Sequence, residues 1–325
     1  IPEKSEAVLV NGYTDCKGHA LLLMQLLKAR AIDARLCLVS LNHAGDLDQP
    51  SLHQFNHMIV HVPAQRGMPQ HFLDPTEKFH PFRRSPLALE GKNVLIVDRD
   101  NSRMATIPEL DSADEHTVKV FHSLRAEPSQ TATGSDSLVL TGKVASEFRA
   151  HMRSWNPATR YENLLSWLTQ SYSTFHDERF RILHEEDPDE PLVMVFRYKR
   201  KFPFRSTLQE YQHFPNLELS FLRFPKVGAR RGPIYFPHPI RINSQWVYEM
   251  PDGFGWKSLT LDRELSENQL HWNFSISQSS PESILIKQGW KVDPFVATAE
   301  EYQKLQNGWD DILSGSGLRL MISSH

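Results

Sequence analysis

The spacing of apolar and polar residues changes along the chain, and each spacing predicts either a helix or strands. Residues 21–27 are apolar except for Gln25, a pattern typical of a buried helix. Three later segments are rich in apolar and β-branched residues and are predicted as strands: residues 34–40, 54–62 and 70–74. The first third of the chain is therefore expected to run helix, strand, strand, strand, with the helix packed on a sheet.

The second half of the chain repeats short strand patterns separated by turn signals such as residues 251–255. Strands are predicted over 117–124, 137–144, 192–198, 217–222, 244–248, 269–275 and 283–287. Residues 160–183 show a helix-like spacing of apolar side chains, and residues 297–313 are also predicted as a helix. This pattern favours a C-terminal antiparallel β-sandwich domain with a helical insert.

The domain boundary is expected near residue 110, which gives domains 1–110 and 111–325. A polar run over residues 127–136 lacks large apolar side chains. Because strand patterns lie on both sides of this run, it is either a linker or a hairpin loop inside the second domain.

Composition excludes some classes of protein. The 325 residues contain 36 Lys and Arg against 39 Asp and Glu, a net charge of −3, and no long basic run occurs. Nucleic acid is therefore not an implied partner. Two cysteines cannot form a disulfide framework, and their number does not fix the redox compartment. No signal peptide or membrane segment is visible in this chain.

Cys16 is the first candidate for chemistry, because it comes immediately before the predicted helix. The first-turn N–H groups and the helix dipole favour negative charge, so a thiolate is stabilised there. His57 lies on the second predicted strand and Asp74 ends the third, so base and orienting carboxylate are expected to meet the thiol along one edge of the sheet. Cys37 lies inside an apolar strand and is expected to be a small buried hydrophobic residue.

The same residues also have simpler interpretations. His57 and His61 are four residues apart on one strand and could bind a metal together, but no Cys-x-x-Cys or His-Glu-x-x-His motif accompanies them. Asp74 precedes a proline, which is common turn chemistry at a strand end. We expect no metal and no cofactor.

Three motifs in order resemble the core of the transglutaminase-like superfamily: Asp15-Cys-Lys17, Phe55-Asn-His57 and Leu73-Asp-Pro-Thr76. The resemblance is to a bacterial branch that joins this core to a C-terminal β domain of unknown function, and it continues through residues 83–108. In that branch the cysteine motif usually reads Gly-Asp-Cys-Lys-Asp, so Thr14 and Gly18 depart from the pattern. The resemblance implies an α+β fold with a papain-like or transglutaminase-like core, a helix packed on an antiparallel sheet.

The resemblance also implies an activity. Cys16 would attack the amide carbonyl of a protein or peptide substrate and form a thioester, His57 would act as acid and then base, and Asp74 would fix the His57 tautomer. Either hydrolysis or acyl transfer would follow, depending on whether water or an amine reaches the thioester. The alternative is a non-catalytic binding or scaffold protein with a transglutaminase-like fold.

The same branch is usually exported, which implies a periplasmic or extracytoplasmic location. Such cores normally have helices before the cysteine, whereas fifteen residues precede Cys16 here. We therefore expect an N-terminally incomplete core and a missing upstream domain, which is often β-rich. The second donor of an oxyanion hole is expected upstream of the cysteine, and the loop over residues 42–53 is expected to set specificity.

Overall fold

The structure is a computed structural model that describes residues 2–42, 51–82, 85–109, 116–129, 131–169, 175–201, 210–213, 221, 234–236, 239–257, 260–267, 269–304 and 318–324. The chain divides into two compact units, Ile1–Asp111 and Ser112–His325. Among the helices in these residues, none is long and apolar enough to cross a membrane.

Within its described residues, the first unit contains two α-helices, two short 3₁₀ helices and a five-stranded antiparallel sheet. Its elements are α1 (Ser5–Asn11), α2 (Cys16–Ala29), β1 (Arg35–Val39), β2 (His57–Val62), β3 (His71–Leu73), β4 (Asn93–Val97) and β5 (Arg103–Thr106). The strands lie in the order β3-β2-β1-β4-β5. The predicted succession of one helix and three strands is confirmed, because α2 is followed by β1, β2 and β3.

Each face of this sheet has its own apolar core. On one face α2 packs with Ala20, Leu23, Met24 and Leu27 against side chains that include Met58, Val60 and Val62. On the other face a second cluster contains Cys37, Val39, Ile59, Phe72, Leu89, Val94, Ile96 and Ile107. The helix is less buried than its apolar sequence predicts, since Leu26 is 52% exposed. Only one side of α2 packs on strands, because its inward residues recur every three or four positions.

The second unit is dominated by β-structure. It contains β6 (Thr117–Glu127), β7 (Thr131–Leu140), α3 (Gly142–Ser154), α4 (Arg160–Thr169), β8 (Phe175–Leu183), β9 (Leu192–Lys201), β10 (Glu210–His213), β11 (Ile234–Phe236), β12 (Ile240–Glu249), β13 (Phe254–Trp256), β14 (Leu261–Glu267), β15 (Leu270–Ser280), β16 (Ser283–Val292), β17 (Phe295–Ala297) and β18 (Leu318–Ser324). Five predicted strands, at β6, β9, β12, β15 and β16, are thereby confirmed.

Eight of these strands form one sheet in the order β14-β15-β16-β12-β6-β7-β9-β8. Its pairs are antiparallel except for β6 and β12, which are parallel with Val118 opposite Ile242. The expectation of a purely antiparallel domain is therefore wrong at this pair. Parallel strands need a long crossover, and more than a hundred residues separate β6 from β12 in the sequence. The chain as a whole has an α+β fold, whereas a sandwich of two stacked sheets stays a prediction.

Several sequence-based boundaries differ from the structure. The predicted helix over 160–183 ends at Thr169, and its second half is β8, where Phe180 and Ile182 alternate inward with period two. The strand predicted over 137–144 ends at Leu140, and α3 begins at Gly142. The polar run over 127–136 is mostly strand, because β7 begins at Thr131 and pairs with β6 as a hairpin.

Two other predictions fall largely on residues outside the described set. The strand predicted over 217–222 has only Phe221 within it. The helix predicted over 297–313 is observed from 299 to 304, and residues 305–313 lie outside the description.

A buried histidine–carboxylate pair lies within the large sheet of the second unit. His122 on β6 is directly opposite Asp136 on β7, and its Nδ1 atom is 2.5 Å from Asp136 Oδ1. The Tyr198 hydroxyl lies 3.4 Å from the same two atoms. Both side chains are more than nine-tenths buried. This pair is surrounded by the apolar cluster of the unit, in which Leu124, Leu138 and Phe196 are also buried.

Candidate active site

The topology of the first unit brings four chain segments to one end of the sheet. β1 runs back along α2 after a short connection, so the end of β1 lies at the same end as the start of α2. β2 is antiparallel to β1 with His57 opposite Val39, so His57 also lies at this end. β3 is antiparallel to β2, and Asp74 follows its last residue, Leu73. The three residues singled out by the sequence, Cys16, His57 and Asp74, are thus placed at one end of the sheet.

Cys16 is the first residue of α2, as the sequence predicts. Asp15 caps this helix, because its Oδ1 accepts hydrogen bonds from the backbone N–H of Lys17 at 3.0 Å and Gly18 at 3.2 Å. The side-chain bond from Lys17 and the backbone bond from Gly18 hold the pKa of the Asp15 carboxyl below its usual value. The thiol is partly exposed at this helix terminus.

His57 and Asp74 form a buried pair. Their Nε2 and Oδ2 atoms are 2.7 Å apart, and both side chains are more than nine-tenths buried. The other carboxylate oxygen, Oδ1, accepts from the Thr76 backbone N–H at 2.9 Å and from the Thr76 hydroxyl at 2.6 Å. Burial opposes ionisation of Asp74, but the hydrogen bonds from His57 and Thr76 outweigh it and lower its pKa. A carboxylate fixed at Nε2 leaves Nδ1 of His57 for another partner.

The structure brings two of the three predicted residues into direct contact. Among the residues that it describes, no hydrogen bond joins the Cys16 thiol to His57 or Asp74. Strand alternation explains this arrangement, because His57 shares a face of β2 with Ile59, whereas α2 packs on the face of Met58 and Val60. His57 is nevertheless the first residue of β2, at the end of the sheet where α2 begins.

The two positions that depart from the usual cysteine motif are in contact with each other. A β-carbon built at Gly18 would lie 2.7 Å from Thr14 Cγ2, closer than such atoms approach in proteins. Thr14 therefore occupies space that any larger residue at position 18 would need. The departures at Thr14 and Gly18 are complementary, since the side chain gained at one position requires the glycine at the other.

Cys37 and His61, the other two residues considered from the sequence, lie in surroundings that indicate a structural role. Cys37 is fully buried in β1, and burial raises the pKa of its thiol to about 12. His61 is buried against Phe72, its Nε2 lies 3.4 Å from Gln70 Oε1, and burial lowers its pKa. Within the described ranges, no group of three or more His, Cys, Asp or Glu residues could hold a metal ion.

Three polar residues at this end of the sheet, Thr76, Asn56 and Lys92, were given no role from the sequence, although Asn56 and Thr76 lie within two of its motifs. Thr76 had a detectable signal, because an aspartate side chain commonly accepts a hydrogen bond from the backbone two residues further on. Lys92 had none, since its partners Ser40 and Leu41 are about fifty positions away. The predicted specificity loop over 42–53 lies outside the described residues from 43 to 50.

Comparison with known proteins identifies a likeness at the level of fold. No protein-family model matches this chain, and no curated protein matches it. A crystal structure of a "putative protease" from Parabacteroides distasonis superposes with a TM-score of 0.54 at 13% sequence identity. The match covers 99% of this chain and 46% of that one, so this chain spans about half the length of the protein it resembles. At this identity the likeness shows a shared fold.

Proposed function

We propose that this chain is a transglutaminase-like cysteine enzyme that acts on amide bonds of proteins or peptides. The observation that carries the proposal is the buried His57–Asp74 pair, whose geometry leaves Nδ1 of the ring for a thiol. Cys16 begins a helix at the same end of the sheet, as a nucleophile that works with an imidazole would. The fold shared with a protein described as a protease supports the same class of reaction.

The proposed reaction has two steps. The Cys16 thiolate attacks the amide carbonyl carbon, the C–N bond breaks, and His57 gives a proton to the departing amine, which leaves a thioester on Cys16. His57 then takes a proton from water or from an acceptor amine, and attack on the thioester releases an acid or a new amide together with the thiolate. Asp74 holds the ring and stabilises its protonated form, and the Cys16 backbone N–H donates to the oxyanion.

The experiment that tests this proposal is the rate of Cys16 alkylation across pH. It compares Cys37→Ala protein, which keeps one thiol, with the same protein carrying His57→Ala. A thiolate paired with an imidazolium reacts well below the ordinary thiol pKa of about 8.5, and the low-pH reaction should collapse without His57. If Cys16 shows the pH profile of an ordinary thiol in both proteins, the proposed enzymatic function is rejected. If the ion pair is found, peptide amides with and without an added amine separate hydrolysis from acyl transfer.

The second candidate is a non-catalytic binding or scaffold protein with a transglutaminase-like fold. Two observations favour it: no hydrogen bond joins Cys16 to His57 in the described part of the chain, and the cysteine motif is altered at Thr14 and Gly18. Under this hypothesis Cys16 reacts as an ordinary exposed thiol, and replacing it leaves partner binding intact.

A periplasmic or extracytoplasmic location belongs to the same proposal. It rests on the resemblance of the three motifs to an exported bacterial branch. Fractionation of the cells that express the full-length protein tests it directly, and recovery in the cytoplasmic fraction would overturn it.

A further inference from the structure

Lys92 inserts its ammonium group at the end of the sheet that carries His57. Its Nζ donates to the backbone carbonyl of Ser40 at 2.8 Å and to that of Leu41 at 2.6 Å. Ser40 is 1% exposed, and burial lowers the pKa of Lys92. An ammonium that loses part of its water needs acceptors in return, and two consecutive carbonyls provide them. The segment that follows β1 is therefore fixed to the residue that precedes β4.

Two hydrogen bonds hold the backbone of Lys92 in place. Its own N–H donates to the Leu89 carbonyl at 3.1 Å, and its carbonyl accepts from Ile107 N–H at 2.9 Å. Leu89 and Ile107 are both fully buried in the apolar core on that face of the sheet. Lys92 thus connects the segment after β1 to this packed region of the core.

Asn56 continues this connection to the proposed base. Its Oδ1 accepts from Leu41 N–H at 2.9 Å, and its own N–H donates to the Val39 carbonyl at 3.1 Å. Leu41 is therefore held from two sides, at its carbonyl by Lys92 and at its N–H by Asn56. The hydrogen bonds run from Lys92 through Leu41 to Asn56, and the backbone then continues directly to His57, which is paired with Asp74.

We propose that Lys92 is a positioning residue for His57, acting through Leu41 and Asn56. This inference rests on the proposed function, because the role of Lys92 is to hold the proposed base, His57, in position relative to the Cys16 thiol. Lys92 touches neither substrate nor reacting atoms in this role. Small displacements of a catalytic group have large effects on rate, which is why such a connection matters.

Four variants of the full 325-residue chain test the proposal. Lys92→Met keeps the aliphatic stem and removes the donors, and Lys92→Arg restores a cation with donors. Asn56→Ala breaks the connection further along and leaves the Lys92 side chain itself unaltered. Lys28→Met, at an exposed position on α2, is the matched control for loss of a lysine charge.

The first readout is the NMR signal of the His57 ring in nitrogen-15 labelled protein, which reports the Nε2–H bond to Asp74 without any need for activity. Lys92→Met and Asn56→Ala should both shift or broaden it, Lys92→Arg should return it toward the native position, and Lys28→Met should leave it in place. The double variant Lys92→Met/Asn56→Ala should change it no more than Lys92→Met alone, because both act along one path.

The second readout is the pH profile of Cys16 alkylation, followed by peptide mapping. We expect the rate at mildly acidic pH to fall roughly tenfold in Lys92→Met, in the direction of His57→Ala, with recovery in Lys92→Arg. A merely structural role would lower stability without moving this profile. If Lys92→Met does not fold, Asn56→Ala carries the same comparison.

The outcomes separate the two proposals. A native His57 signal in folded Lys92→Met and in Asn56→Ala would overturn the positioning role, whatever the reactivity of Cys16. A His57 signal that responds as expected, in a protein whose Cys16 behaves as an ordinary thiol, would support the positioning role and reject the proposed enzyme.

Discussion

His57 and Asp74 are bound to each other by a 2.7 Å hydrogen bond between Nε2 and Oδ2, and both side chains are more than nine-tenths buried. Such a pair is costly to desolvate, so it persists where its members have further partners. Asp74 has them, because Thr76 donates twice to its other oxygen. The result is a carboxylate kept ionised inside the protein next to an imidazole.

The first prediction concerns the pH dependence of stability in Asp74→Ala. Removing one partner of a buried pair typically costs about 3–5 kcal/mol, and we expect a loss of that order in the free energy of unfolding at pH 7. Because the hydrogen bonds to Asp74 lower its pKa in the folded state, its contribution is present above the unfolded value near pH 3.9. It is lost as pH falls through the lower folded pKa.

Urea unfolding of both proteins at a series of pH values measures this difference. The gap between native protein and Asp74→Ala should be widest near neutrality and should narrow below about pH 4. A gap of constant size across the acid range would contradict the assignment of an ionised Asp74.

The second prediction uses the contact between Thr14 and Gly18. Replacing a helix-interior glycine by alanine usually stabilises by about 1 kcal/mol, but overpacking costs about 1–3 kcal/mol. Since the new β-carbon at position 18 would meet the Thr14 side chain, Gly18→Ala should lower the free energy of unfolding by about 1 kcal/mol net. In a Thr14→Gly background the same change should become neutral or stabilising, as measured by urea unfolding. Equal effects in both backgrounds would show that the two positions are independent.

The third prediction separates the two thiols. Cys37 is fully buried and its pKa is raised to about 12, so it should resist alkylation in the native protein. Cys16 is partly exposed and should react first. Iodoacetamide labelling with peptide mapping tests this order, and Cys37 should become reactive only in denaturant. Early labelling of Cys37 under native conditions would mean that β1 opens readily.

The fourth prediction concerns the second unit. Asp136→Ala leaves His122 buried without its carboxylate, so we expect a loss of about 3–5 kcal/mol in the free energy of unfolding. The double replacement His122→Leu/Asp136→Leu, made together with Tyr198→Phe so that the hydroxyl next to the pair is also removed, should be less harmful than Asp136→Ala. Denaturant unfolding of His122→Leu, Asp136→Leu and the double variant, all carrying Tyr198→Phe, gives the coupling between the two residues. If the double variant loses as much free energy of unfolding as the two single variants together, the two residues are not coupled.

The sequence by itself determined the features that depend on near neighbours. Cys16 could be placed at a helix start because it lies just before the apolar run over residues 21–27, and β1 and β2 were recognisable from their own apolar runs. Cys37 could be assigned to the core for the same reason. Asp74 was identified by its short motif, although that motif alone also fits a simple turn.

The tertiary structure decided what depends on distant parts of the chain. His57 meets Asp74 across seventeen positions, and Lys92 meets Ser40 across fifty-two, through strand order that no local pattern encodes. The second half of the helix predicted over 160–183 is instead β8, paired with β9, because backbone hydrogen bonds along a sheet outweigh a weak local preference. Local sequence fixes element type and the chemistry available, whereas packing and pairing decide which of those groups come within hydrogen-bond distance.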